Sequence, residues 1–451
     1  MKIRLGYWNN SFSKALSYPT GGGHGLLCGP TRSGKLRDIL CQILLSFHGS
    51  VFCIDPKGQA AAVTARYRQE VLGQDVYILN PFNILPDYLG KFLHAQFDPI
   101  SSQLDPESDT FAADADNLME GLLPHGGSEI HWIDSARLLS AGIGMHHRAF
   151  MDRWSLPDIY ASICDSNLHQ FCEDELVKLA DHDSDSPLDE NVEHIVSRLS
   201  RFRGEAANDN REIRSVVSTA ITRLGFAANK PLARNMRKST VSFRAMRHRP
   251  ITVYVIPDAR YLGPCSVWTR MITNSFADAC LEAGGADVPV LGILQEFKTA
   301  VGNLTSVNTL NALGAGYGCQ LLYEIHDLNE LQEMMPQGWQ TFLGSSAFQI
   351  FLPPGPGDLI TSEHVSKMTG MKEIHGGSQS FGERQANVSV GSQARRYLLP
   401  EEVREIPEDE MLVWISGVRG VIRAGRRPYY QSPEFDGKYD EDPFHAKKKP
   451  D

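Results

Sequence analysis

Eight short runs, apolar almost without interruption, constrain this chain more than any other feature. They are Gly25 to Cys28, Ser50 to Asp55, Val76 to Leu79, Ile251 to Ile256, Val288 to Leu294, Cys319 to Ile325, Phe348 to Leu352 and Leu412 to Ile415. An antiparallel strand with one wet face alternates apolar and polar residues, whereas these runs do not, so they read as strands buried on both faces of a parallel sheet. Gly and Pro punctuate them. Between the first two runs, Ile39, Leu40, Ile43, Leu44 and Phe47 fall at helical spacing. Strand, glycine-rich turn, helix and strand in that order make a βαβ unit. The chain has 451 residues, of which 42% are hydrophobic and 22% charged. That composition excludes disordered, collagenous and disulfide-scaffold classes and supplies enough apolar surface for a large core.

The texture changes between residues 103 and 245. Strand-like runs vanish, and amphipathic stretches at 112–123, 132–146, 156–179 and 192–202 replace them. Polar spacers such as 181–187 and Gly204 to Asn210 separate these stretches. The fold class expected is therefore α/β, a mainly parallel central sheet carrying an inserted all-α domain. The segment boundaries read as 1–102, an inserted 103–245, 246–430, and a loose tail over 431–451 rich in Asp, Glu, Pro and Lys. The uncharged stretch Ile39 to Ile54 is broken by Gln42, His48 and Gly49 and is too short to span a bilayer. The start lacks the apolar core and cleavage site of a signal peptide, so a cytoplasmic protein without a transmembrane segment is expected. The eight cysteines include no C-x-x-C pair and read as reduced, buried small hydrophobes.

The turn after the first apolar run carries the chemistry. Gly29-Pro30-Thr31-Arg32-Ser33-Gly34-Lys35-Leu36 matches G-x-x-x-x-G-K. In such a loop the glycines let backbone N–H groups curl around phosphate oxygens, and the helix start presents its positive end. The lysine then reaches the β- and γ-phosphates. The alternative is a tight βα turn that binds nothing. Leu36 departs from the pattern: a Ser or Thr there would place a hydroxyl on Mg2+, and leucine has none. The first 102 residues are thus the phosphate-binding part of a nucleotide-binding domain, completed by 246–430.

Val290 to Phe297 is an apolar strand ending in Gln295-Glu296. This is the form of a Walker B strand, with a neutral glutamine where an aspartate would hold the metal. Glu296 remains to orient or deprotonate water, or else it merely ends the strand. Asp55, closing the strand after the loop helix, is a further carboxylate candidate near the phosphates. No arginine lies between Arg270 and Arg384, so a transition-state arginine does not come from the segment after Glu296.

Together these motifs resemble the conjugative coupling proteins of type IV secretion systems, the TraG/TraD group. The likeness rests on Gly29 to Lys35, Ile54-Asp-Pro-Lys-Gly58, Thr64-Ala-Arg-Tyr-Arg68, Gly73 to Phe82 and Phe243 to Arg247 leading into Val253 to Pro257. It continues in order through Glu296-Phe297, Gly316-Tyr-Gly318, Phe342-Leu-Gly344 and Tyr397 to Val403. The resemblance implies a RecA-like P-loop NTPase fold with an all-α domain, ATP and Mg2+ as cofactors, and a hexameric ring at the inner membrane. It implies partners in the secretion channel and a DNA–relaxase complex or protein effectors as cargo. Carried over, Lys35 is the phosphate lysine, Glu296 the catalytic carboxylate, and His326 stands where the family has a γ-phosphate-sensing glutamine. Leu36 and Gln295 remove both usual protein handles on Mg2+. Two other readings therefore stand beside the coupling ATPase. One is a pseudo-ATPase scaffold that completes a ring with an active paralogue; the other is a cytosolic DNA-translocating helicase.

Residues 196–249 hold thirteen Lys or Arg against three acids, a local excess of +10 in a chain whose formal net charge is −10. Arg198, Arg201, Arg203, Arg211 and Arg214 are the candidates for phosphate-backbone contact, the alternative being solvated or subunit-facing helix surfaces. His146 and His147 read as helix-surface residues rather than metal ligands, because adjacent helical residues point about 100° apart. No residue is assigned as a metal ligand.

Overall fold

A computed structural model gives the fold, described over residues 1–8, 12–124, 130–152, 154–180, 189–382 and 385–445. Its strands, in chain order, are β1 (Lys2–Tyr7), β2 (Ala15–Pro19), β3 (His24–Cys28), β4 (Ser50–Ile54), β5 (Asp75–Leu79), β6 (Leu93–His94), β7 (Ile251–Val255), β8 (Val290–Leu294), β9 (Cys319–Ile325), β10 (Ser346–Phe351), β11 (Met371–Gly382), β12 (Gln385–Arg396), β13 (Glu410–Ile415) and β14 (Ile422–Gly425). Each of the eight apolar runs lies on one of them. The chain divides into two compact units.

The first unit comprises Met1–Phe47 with Gln320–Tyr439. Its strand order is β2-β1-β14-β13-β10-β3-β9. β3 runs parallel to both neighbours, with Gly25 opposite Leu322 and Cys28 opposite Ile325 on one side and Cys28 opposite Phe351 on the other. It is buried on both faces, as an uninterrupted apolar run requires. From β10 outwards the pairing is antiparallel, so the run at 412–415, read as parallel, is corrected: β13 runs against β10. β1 gave no sequence signal because Arg4 interrupts it. The structure buries that arginine by pairing it with Glu434 at 2.7 Å and laying it against the Tyr7 and Phe435 rings.

The second unit comprises His48–Cys319 with Asp440–Asp451. Its strands run β8-β4-β7-β5-β6, all parallel. The same unit holds the helical stretch, and no strand occurs among the described residues from 99 to 249. Helix Arg211–Leu224 shows the construction. Asn210 caps it by accepting from the N–H of Glu212, and Ile213, Val216, Ala220 and Leu224 form one buried stripe. The stretch expected as one helix over 156–179 is two, Leu156–Ile163 and Leu168–Ala180. Asp165 breaks it by accepting from the Asn167 N–H, an Asx turn that competes with helical bonding. The spacer at 181–187 lies outside the described residues.

Two further expectations are corrected. His146 and His147 are buried, not on a helix surface. His146 Nε2 lies 3.1 Å from Glu175, and His147 Nε2 lies 3.0 Å from the Ser162 hydroxyl, so each ring finds a polar partner inside the helical packing. The loose tail is the second: up to residue 445 the chain is anchored. Ser432 and Phe435 are buried. Asp440 pairs with Arg66 at 2.5 Å and Lys91 at 3.1 Å, its N–H reaching the Val63 carbonyl. Residues 446–451 lie outside the described residues. None of the eight cysteines forms a disulfide; seven are buried and Cys164 is exposed.

Candidate nucleotide site

The phosphate-loop candidate leaves the carboxyl end of β3. Gly29 sits where a Cβ would meet the Leu352 Cβ at 2.8 Å. Gly34 has φ +88°, and a Cβ there would lie 2.6 Å from the Asp38 carboxylate. Arg32 also takes a left-handed conformation, φ 63°, which a non-glycine residue adopts at a cost. A wide first turn, Lys35–Leu40, opens the helix, which continues as Cys41–Ser46. Among the described residues, nothing accepts from the backbone N–H groups of Thr31, Arg32, Gly34 or Lys35. Four donors at a helix start form a concavity suited to an anion. The Ser33 hydroxyl is buried there and likewise has no partner among the described residues.

Lys35 turns back over this loop. Its ammonium donates to the Gly29 carbonyl at 2.5 Å and the Pro30 carbonyl at 3.2 Å, and pairs with Glu324 at 3.0 Å. The pair is nearly dry, with the two side chains 10% and 5% exposed. Pro30, Thr31 and Arg32 stand at the rim, and Leu36 is half-buried with no oxygen to offer.

Two residues missed by sequence reading hold the turn. Arg426, just past β14, donates to the Ser33 carbonyl and pairs with Asp38 at 3.0 Å. Both side chains are almost completely buried. Burial pulls the Arg426 guanidinium below its ordinary range, and the Asp38 charge opposes that. The only sequence signal was Asp38, an acid on the buried face of an otherwise apolar helix. Glu324 is the second, an acid inside a strand whose seven residues are all buried. At the end of the same strand, the His326 ring and the Glu324 carboxylate bring polar atoms within 4.8 Å of each other. The His326 N–H donates to Glu330 at 2.8 Å.

In the second unit, Gln295 and Glu296 follow β8. The Gln295 amide is buried and directed at the Cys53 sulfur, 3.6 Å away. Glu296 adopts φ 52°, a left-handed conformation, and strain of this kind gathers at functional positions. Asp55, the further carboxylate candidate, is tied to a helix of its own unit. It is buried and accepts from the Ala61 N–H at 2.8 Å, anchoring helix Gln59–Arg66. Desolvation raises its pKa to about 6 against the opposing backbone donors. The Thr64 to Arg68 motif is structural too. Thr64 meets the Tyr254 hydroxyl at 2.6 Å, and buried Arg68 donates to Thr252 at 2.7 Å and to the Gly49 carbonyl at 2.9 Å.

The basic stretch divides. Arg198 pairs with Asp116 at 2.7 Å, Arg201 with Glu212 at 3.1 Å and Arg203 with Glu173 at 4.0 Å. Arg211 and Arg214 have no ion-pair partner among the described residues. With Trp132, Ser215, Ser218 and Thr219 they line an open cleft of about 420 Å³. No described helix is long and apolar enough to cross a membrane.

Comparison with known proteins places this architecture. The conjugal transfer protein TraG of Escherichia coli is 25% identical over 460 residues, covering 92% of this chain and 68% of that one. VirD4 of Agrobacterium fabrum is 25% identical over 416 residues, covering 89% of this chain and 58% of that protein. The solved structure of the bacterial conjugative coupling protein TrwB superposes with TM-score 0.67 at 14% identity, covering 94% of this chain and 88% of that one. TrwB in complex with ADP and Mg2+ gives 0.66 at 14% identity, covering 94% of each. The RecA-like α/β fold is thereby shown. The profile of the Type IV secretory system conjugative DNA transfer family matches residues 4–450, and the chain belongs to that family.

Proposed function

We propose that this protein is the coupling ATPase of a conjugative type IV secretion system, binding ATP on the turn Gly29 to Leu36 and using it to drive DNA or DNA–protein cargo toward the channel. One observation carries the reading: Lys35 is held in a loop of unpaired N–H donors at the carboxyl end of β3. In this reading the loop donors cradle the phosphates, and Lys35 exchanges its carbonyl partners for phosphate oxygens. Glu296 orients water, and His326 faces the terminal phosphate. The inserted helices of 103–245 meet cargo, with Arg211 and Arg214 offered to the phosphate backbone. The chain assembles as a ring, peripheral to the inner membrane, against channel components and a relaxase–DNA complex or effectors.

Magnesium, when bound, neutralises phosphate charge. Leu36 has no donor for it and Gln295 is neutral, while the Glu324 carboxylate and the unpaired Ser33 hydroxyl beside Lys35 are oxygen donors that fit it. A second reading is favoured by the Gln295 amide turned to Cys53: a scaffold that binds nucleotide without hydrolysing it and joins an active paralogue. Steady-state ATPase of the wild type and of Lys35→Ala, with and without DNA, separates the two. The motor predicts DNA-stimulated turnover lost in the variant. Equal rates, with nucleotide still bound by the wild type, leave the scaffold.

A further inference from the structure

We propose that Trp132 and the outer face of helix Arg211–Leu224 form a site for an unpaired nucleic-acid strand, the indole stacking on a base while Arg211 and Arg214 hold the flanking phosphates. This deepens the cargo reading above and rests on it. The helix buries Ile213, Val216, Ala220 and Leu224. Arg211, Arg214, Ser215 and Ser218, spaced i, i+3, i+4 and i+7, therefore share the opposite face. Both arginines are exposed. The cleft on that face is lined by Trp132, Arg211, Arg214, Ser215, Ser218 and Thr219, two cations and no acid. Glu212, between the two arginines in sequence, is engaged by His131 and Arg201, both at 3.1 Å.

The basic stretch has no stacking surface of its own. Its aromatic rings, Phe202, Phe226 and Phe243, are all buried. Trp132 comes from helix Ile130–Phe150, which packs against helix Arg211–Leu224. The His131 contact with Glu212 ties the start of one helix to the start of the other, so the next residue, Trp132, is brought to the wall of the cleft beside both cations. The indole is half-buried there. Arginines that meet only phosphate do not distinguish one strand from two. A stacking ring does, because it needs a base with a free face, and a duplex withholds that face. The cleft, about 420 Å³, falls in the size range of small-ligand sites. An acidic peptide would use the arginines and leave the indole face idle.

The test measures fluorescence anisotropy of labelled oligo-dT, and of its duplex with oligo-dA, on the full chain across a salt series. The variants are Trp132→Ala, Trp132→Phe and the double replacement of Arg211 and Arg214 by Ser. Trp132→Ala is expected to weaken oligo-dT binding about tenfold at every salt concentration, with the salt slope and the duplex affinity unchanged, and Trp132→Phe to keep most of the affinity. No loss in Trp132→Ala, or an equal loss on duplex and single strand, overturns the inference while the arginine contact stands. Arginine replacement that alters neither affinity nor slope overturns the cargo reading at this face. Poly-glutamate displacing oligo-dT more effectively than unlabelled oligo-dT assigns the cleft to an acidic peptide and overturns the inference too. Should Trp132→Ala fail to fold, intrinsic tryptophan fluorescence decides. Quenching by oligo-dT that shrinks in Trp132→Phe supports the stack, and undiminished quenching rejects it.

Discussion

Single side chains in this protein divide into those the fold consumes and those it leaves available. Asp38 and Arg426 are consumed. Removing the arginine alone would leave the buried Asp38 carboxylate only its pair with Arg37 at the surface side, so Arg426→Met should cost about 1–3 kcal/mol, while the double variant with Asp38→Leu should recover much of the loss. Urea denaturation of the wild type, both single variants and the double measures this; additive losses would refute it. Asp278 makes a pH-dependent case. Burial, then the charges of Asp114, Glu282 and Glu120, push its carboxyl from 3.8 to about 6, while Gln103 pulls the other way. The folded state therefore keeps a proton that the unfolded chain has released. Its contribution is whole below the ordinary carboxyl value and is lost as pH rises to about 6. Asp278→Asn should stabilise the protein by about 2 kcal/mol at pH 8, with the gain shrinking to nothing near pH 4. Melting curves across that range check it.

At the scale of elements, helix starts are secured by buried acids. Asp98 accepts from the N–H groups of Ser101 and of Leu156, both at 2.9 Å, so one carboxylate starts helices Pro99–Gln103 and Leu156–Ile163. Asp55 does the same for Gln59–Arg66. Asp55→Ala should cost about 1–2 kcal/mol, and Asp55→Asn less because the amide oxygen still accepts. Hydrogen exchange on helix 59–66 should localise the loss. The parallel strands were legible because burial on both faces forces an unbroken apolar run. β1, β2 and β14 were not. They lie in the antiparallel part of the first unit's sheet, and Arg4 in β1 is tolerated only through Glu434, 430 residues away in sequence.

For the whole molecule, the proposed contact with cargo is tested at the basic stretch. Arg198, Arg201 and Arg203 are occupied by Asp116, Glu212 and Glu173, whereas Arg211 and Arg214 are open. Replacing Arg211 and Arg214 by Ser should weaken DNA binding uniformly across sequences and lower the salt slope by about 2, with little effect on stability. Arg198→Ser should leave the slope unchanged. Fluorescence anisotropy across a salt series distinguishes them; identical slopes would remove these arginines from the DNA path.

The sequence alone determined the parallel core, the glycine turn with Lys35, and the losses at Leu36 and Gln295. Each depends on residue type and local spacing, which a linear reading sees. Tertiary structure decided what polar residues are for. It spent Asp55 and Arg68 on structure and buried His146 with Glu175. It also brought Arg426 to a turn nearly 400 residues earlier, and Glu324 to Lys35. These pairings are made by strands and helices far apart in the chain, and their energy comes from excluding water, which no local pattern records.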